Sequence, residues 1–359
     1  MQTFPRTIGA LVSLTAIPRA TLPGLPFAAR GPLSEAVALR LSAAAAGDDL
    51  AVLAQRALEM TPDIVRDDDI QLALFCLYAN AYGSLDGLDA ALEWDAELLT
   101  VRQLVESAFE AALRREIAVP ALPAPQAADV AQALFTLTAD DNGPSLSRYL
   151  ARKATEEQAR EFLIQRTVYT LREADPHSWA IPRLRGRAKA ALVEIQSDEY
   201  GGGRPDRVHA EIFARTVRAA GLDDRYGAYV DDVPAVTLAS HNTMSMFGLN
   251  RRLLGAIVGH LAAFEMTSSI PNRLYGDGLR RLGYGEDVTD YFDEHVEADA
   301  VHEQIAGRDL AGALAEDRPD LLADIMFGAA ACLAVDGWVA QHMYDAFTSG
   351  ASSLRGGVA

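Results

Sequence analysis

The chain has 359 residues, half of them apolar, which is enough to bury a large core and argues against overall disorder. Its 32 Lys and Arg stand against 50 Asp and Glu, a formal charge of -18 and the wrong sign for a nucleic-acid partner. Cys76 and Cys332 form no Cys-x-x-Cys pair, which excludes a zinc ribbon or disulfide scaffold and points to a reducing, cytoplasmic compartment.

In chain order, the first 32 residues are rich in proline. The apolar run from Ile8 to Ile17 resembles part of a leader, but one Arg precedes it and Pro18-Arg19 interrupts it, so no signal peptide is expected. From there on, apolar residues recur at three- and four-residue spacing and β-branched alternation is scarce, which predicts an almost all-α protein. Helices are expected near 33–58, 69–82, 96–116, 127–138, 145–153, 155–174, 184–200, 207–220, 240–267, 275–282, 287–314 and 319–349. Thr155 and Gln158 have capping-box spacing at the start of one of them. The breaker Asp140-Asp141-Asn142-Gly143-Pro144 divides the chain into an N-terminal helical region, 1–140, for packing or dimerisation, and a second domain, 145–350. The apolar stretch Leu321 to Ala340 contains Asp324 and Asp336, so it reads as a buried helix and not a membrane span. The tail after Ser352 is expected to fray.

All seven histidines follow residue 176, and the chemistry lies in the second part. His295, Asp299 and His302 stand at i, i+4 and i+7, which puts three metal-ligating side chains on one helical face. Glu199 precedes His209 by ten residues across Gly201-Gly202-Gly203 and Pro205; such a turn either brings an acid and an imidazole to one site or is a flexible surface loop. Glu265 shares a face with Leu261, Val258 and Leu254, so it either reaches solvent at a helix end or is buried with a metal as compensation. His260, five residues earlier, is poorly placed to be its partner. Glu173 reads locally as a surface acid near a helix end. Together these residues make an oxygen-rich donor set with a few imidazoles and no thiolate, better suited to two iron or manganese ions than to zinc or copper. No glutamate stands three residues before any histidine, which disfavours the Glu-x-x-His pairs of a ferritin-like site.

At these positions the sequence resembles the haem-oxygenase-like diiron oxidases and oxygenases, the iron-containing redox enzymes. Their order of ligands matches Glu199, His209, Glu265, His295, Asp299 and His302, and Glu173 falls where N-oxygenating members carry an additional carboxylate. The resemblance covers roughly 145–350. It implies a seven-helix bundle with an additional N-terminal helical region, two Fe shuttling between Fe(II) and Fe(III), and O2 as co-substrate reduced to a bridging peroxide. Glu199, Glu265 and Asp299 would then be catalytic as well as ligating. It also implies N-oxygenation, desaturation or bond cleavage on a small amine or amino-acid-like substrate, or on an aliphatic acid; an iron-binding helper without turnover is the alternative.

For the substrate, Arg172 or Arg273 would suit a carboxylate, and Met244 and Phe264, beside Met246 and Phe247, would accept an apolar chain. The expected partners are a small-molecule substrate, an external electron donor and a second copy of the chain, without nucleic acid or membrane.

Overall fold

Side-chain caps start many of the helices where the sequence places them. The computed structural model describes residues 24–43, 49–139 and 145–356, and the side chains of 297–301 also fall outside that description. The apolar run Ile8 to Ile17 lies outside the described residues.

The N-terminal layer comprises α1 (Pro32–Leu41), α2 (Leu50–Met60), α3 (Asp68–Tyr82), α4 (Ala96–Glu116) and α5 (Ala127–Ala139). Asp49, Asp67 and Asp95 cap α2, α3 and α4 by accepting backbone N–H groups of the first turn, as short acidic side chains do best. The stretch 33–58, expected as one helix, is two, because Asp49 starts a new one. After α6 (Leu146–Arg152), the reciprocal Thr155–Gln158 box opens α7 (Glu156–Thr170). There follow α8 (Asp175–Ser178), α9 (Gly186–Glu199), α10 (His209–Ala219), α11 (Ala235–Leu249), α12 (Leu254–Arg281) and α13 (Glu286–Gln304). A π-helical stretch, Ile305–Gly312, leads into α14 (Ala313–Asp317), and α15 (Leu322–Ser349) closes the bundle. Among the described residues the extended pairing is a single antiparallel bridge between Tyr200 and Val208.

Two further boundaries differ from expectation. The helix expected over 240–267 is broken at Asn250, where the backbone is extended and the side-chain amide donates to the Met246 carbonyl. The expected break before 275 is absent, since α12 continues through Pro271. Proline removes a helical hydrogen bond, but α12 is clamped between α13 and α15, and that packing holds it across the gap.

The bundle is formed by α7, α9, α10, α11, α12, α13 and α15, a haem-oxygenase-like all-α fold with the N-terminal helices added. At its centre α12 and α15 cross with their backbones in contact. A Cβ on Gly259 would lie 1.9 Å from the Ile325 carbonyl oxygen, and one on Gly328 the same distance from that of Ala256. Both helices are long and apolar enough to cross a bilayer, yet 67% and 56% of their most apolar stretches are buried inside the protein. Leu33, Phe75 and Phe109 from the N-terminal layer share one hydrophobic core with Phe247, Ile257 and Ile325. A smaller core of Phe162, Phe213, Tyr291 and Phe292 lies under α7, α10 and α13.

The tail does not fray as far as Arg355. Ser353 is buried, its N–H and hydroxyl donate to Glu161 Oε2 at 2.7 and 2.8 Å, and Gln165 donates to its carbonyl and hydroxyl oxygens. Arg355 then reaches Asp68 of α3 at 3.0 Å.

Candidate metal centre

Local backbone geometry brings the donors together. At the end of α9, Gly201, Gly202 and Gly203 all take left-handed φ values, of 71°, 58° and 81°. Gly201 must be glycine, since a Cβ there would lie 2.7 Å from the backbone at Arg207 and Val208. The Tyr200–Val208 bridge closes this loop and sets His209, the first residue of α10, beside Glu199. Glu173 lies in the break after α7, next to Ala174, which holds a strained left-handed φ of 71°. The strained peptide is pinned: the Ala174 N–H donates to the Tyr169 hydroxyl and its carbonyl accepts from Gln196 at 2.9 Å. Glu265 comes from the middle of α12, and His295 and His302 from one face of α13.

Two buried donor groups result. Glu173, Glu199, His209 and His295 form one; Glu199, Glu265 and His302 form the other, with the ligating atoms of each within 4.8 Å of one another. Glu199 belongs to both. Asp299 lies among 297–301, whose side chains are outside the description.

The surroundings aim the imidazoles. His295 Nδ1 is 2.8 Å from the Tyr291 carbonyl one turn earlier, which makes it the donor and turns Nε2 towards Glu173 Oε1, 3.6 Å away. His302 Nε2 pairs with Asp198 Oδ2 at 3.0 Å, leaving Nδ1 to face Glu265 Oε2 at 3.4 Å. An imidazole held by a carbonyl or carboxylate on its far nitrogen is the arrangement metal sites use to fix a ligand's tautomer and direction. The Tyr291 hydroxyl is 2.8 and 2.7 Å from the two oxygens of Glu173 and donates between them.

Charge is distributed unevenly. Burial works against ionisation of Glu173, but His295, then His209 and the Tyr291 hydroxyl outweigh it and hold its carboxyl below the usual range. Burial likewise disfavours His209 as a cation, yet neighbouring Glu199 pushes it up. His302 is raised to about 9 against its burial, first by Glu265 and then by Asp198. Burial and the nearby Glu199 raise Glu265, with His302 opposing.

The donor set fits a pair of iron ions. It is rich in carboxylate, has three imidazoles and no thiolate, since both cysteines are buried elsewhere. Glu199 Oε2 and His209 Nδ1 approach to 3.0 Å without hydrogen-bond alignment, and His302 Nδ1 is also unsatisfied. Buried polar atoms left in this state cost free energy that coordination would recover.

Of the residues considered for substrate, Phe264 lines the narrow cavity beside Glu173, Glu199 and Glu265, together with Tyr169, His177 and Leu261. Arg172 is not among its walls: it is drawn away to Asp175 at 3.0 Å and lies over the Tyr226 ring. Arg273, two residues beyond Pro271, faces outward and is exposed, and Met244 is buried within α11 away from the cavity. His260 is in neither donor group, but its Nδ1 meets His177 Nε2 at 3.2 Å, which puts it just behind the cavity wall. Burial keeps both neutral, with His177 pushed down to about 3. Asp198 and Tyr291 as orienting groups were missed by sequence reasoning, although Tyr291 stands one turn before His295 and Asp198 directly before Glu199.

A family model described as iron-containing redox enzyme matches residues 160–337. The nitrosourea synthase of Streptomyces achromogenes subsp. streptozoticus is 29% identical over 188 residues, 52% of this chain and 40% of that protein. The chain therefore spans less than half the length of this relative.

Proposed function

Because the chain, through residues 160–337, belongs to the iron-containing redox enzymes, we propose that it is a biosynthetic non-haem diiron oxygenase or oxidase that uses O2 on a small amine or amino-acid-like substrate. The observation that carries this reading is Glu199, a buried carboxylate common to two donor groups, as a bridge between two ions requires. The name of the nitrosourea synthase relative supports a biosynthetic role and chemistry at nitrogen.

Glu173, Glu199, His209 and His295 would hold one iron, and Glu199, Glu265 and His302, joined by Asp299 as the family resemblance implies, the other. When bound, the pair supplies electrons and Lewis acidity for reducing O2. The residues of the chain do the rest. Tyr291 and Asp198 hold Glu173 and His302 in place, so that the donors need little reorganisation. The Glu265–His302 pair stores at least one proton that metal uptake must displace, so uptake strengthens as pH rises towards 9. Tyr169, Leu261 and Phe264 wall the cavity and keep bulk water from the reacting groups.

The test is anaerobic reconstitution with Fe(II), followed by metal analysis after gel filtration and by O2 uptake with and without a panel of amino acids and amines. Two irons per chain and substrate-accelerated O2 consumption are expected. One iron, or mononuclear Mössbauer spectra, would refute the paired centre; two irons without substrate acceleration would make the protein an iron-binding helper.

A further inference from the structure

One residue of the cavity wall, Ala174, keeps a left-handed φ of 71°, and two other wall residues grip its N–H and its carbonyl. The Tyr169 hydroxyl, at the end of α7, accepts the Ala174 N–H at 3.4 Å. The side-chain amide of Gln196, on α9 one turn before Glu199, donates to the Ala174 carbonyl at 2.9 Å and to Ser178 Oγ at 2.7 Å. The first of these bonds fixes which way round the amide lies, since its oxygen would be repelled by the carbonyl. Gln196 Oε1 is therefore the free end of a residue only 2% exposed, and it has no hydrogen-bond partner. Tyr169 has capacity left as well. Its oxygen takes the Ala174 N–H, while among the described residues no acceptor takes its proton. Burial and the nearby Glu173 push the phenol well above its usual range, so that proton stays in place.

A buried acceptor without a donor destabilises a fold, and so does a left-handed alanine, so packing alone accounts for neither. Both make sense if a guest enters the cavity. Gln196 and Tyr169 line the same space as Glu173, Glu199 and Glu265. Its free volume is about 10 Å³, room for one water-sized group, and an amino nitrogen is of that size where a carboxylate is larger. No Lys or Arg lines it, and three carboxylates do, which favours a nitrogen over an acid group. The wall's unspent capacity matches such a guest: an acceptor fixed in direction by two bonds on its own amide, and beside it a hydroxyl with a proton and a lone pair still to use.

We infer that Gln196 and Tyr169 are the residues that receive the substrate's nitrogen, with Gln196 Oε1 accepting an N–H and the Tyr169 hydroxyl making the second contact. The left-handed Ala174 holds the pair in place beside the metal centre. This rests on the proposed substrate class and adds which side chains recognise it. It also separates that class from an aliphatic acid, whose methyl end would leave Gln196 Oε1 unpaired.

Calorimetric titration of the Fe(II)-loaded protein without O2 tests it by binding alone. The probes are 4-aminobutanoate, 5-aminopentanoate and 6-aminohexanoate, each against the acid with a methyl in place of the amino group: pentanoate, hexanoate and heptanoate. At least one amino acid should bind about 10-fold or more tightly than its methyl partner. Carboxylates at the metal centre attract any ammonium, so the variants decide. Gln196→Leu should bring the two partners to within about 3-fold of each other, and Tyr169→Phe should weaken the amino acid by about 3-fold. Gln196→Glu, which keeps an acceptor oxygen, should hold most of the preference. The methyl partners should bind all four proteins alike, and iron content should stay at the wild-type level. Equal affinities in the wild type, an unchanged preference in Gln196→Leu, or no probe bound at about 10 mM would each overturn the assignment. If Gln196→Leu sheds its iron, Tyr169→Phe decides, and full amino acid affinity there overturns the pair. The expected pattern in a protein that takes up one iron or none would refute the paired metal centre and leave these contacts standing.

Discussion

Glu199 has a different standing from the other carboxylates, because removing it strips a donor from both groups at once. Glu199→Ala should therefore retain close to no iron after desalting, whereas Glu173→Ala should retain about half the wild-type content, measured by metal analysis. Three buried histidines set the acid limit of stability. His177 and His241 are pushed down to about 3 and 4, and His260 well below its usual value, all by burial, so each stays neutral when folded but takes a proton at about 6.5 when unfolded. The unfolded chain then binds more protons below pH 6.5, and each histidine costs about 1.4 kcal/mol of stability per pH unit as pH falls, with no penalty above that value. Urea unfolding at pH 6.0 and 5.0, where the raised His209 and His302 are protonated in both states, should show this slope, and His241→Asn should flatten it by about one third. For His295 and His302 the shared helical face is readable from spacing, whereas for Glu199, His209 and Glu265 spacing leaves a surface role open and the family resemblance is what makes them readable as donors. Glu173 is not readable from spacing, because its burial depends on the strained turn at Ala174, and no periodicity reports a single left-handed residue.

At the scale of elements, the contact between α12 and α15 fixes how deep Glu265 sits. Gly259→Ala would normally strengthen a helix, but here the added methyl meets the Ile325 carbonyl, and the expected outcome is a loss of about 3 kcal/mol in denaturant unfolding together with weakened iron retention. Gly337 has open space around its Cβ position, so Gly337→Ala is the matching control and should gain up to about 1 kcal/mol. The capped helices α3, α4 and α7 start within one residue of their expected positions, since caps act locally, whereas the acidic cap at Asp49, inside a continuous apolar pattern, is not legible as the start of α2. Continuity through Pro271 was not foreseen, because it is set by the neighbours of α12 and not by its own sequence.

At the scale of the whole molecule, the N-terminal helices and the bundle share one core, although the breaker from Asp140 to Pro144 suggests a division near 140. Every residue of α11 from Ala235 to Gly248 is buried, and α3 supplies part of its cover. A chain lacking residues 1–139 should expose that face, bind a hydrophobic dye and unfold without a sharp cooperative transition in urea. Sequence patterns show that a helix has an apolar side, but not which distant helix will cover it. The buried carboxylate of Glu161 finds its partners 192 residues later, in the N–H and hydroxyl of Ser353. A nascent chain that has emerged only as far as α13 already carries every donor of the metal centre, while Glu161 still lacks its partners and Asp68 its bond to Arg355. During synthesis on the ribosome all these donors are thus present before α15 has packed on α12 to set the depth of Glu265, and the final locking of the molecule waits until Ser353 is free to reach back.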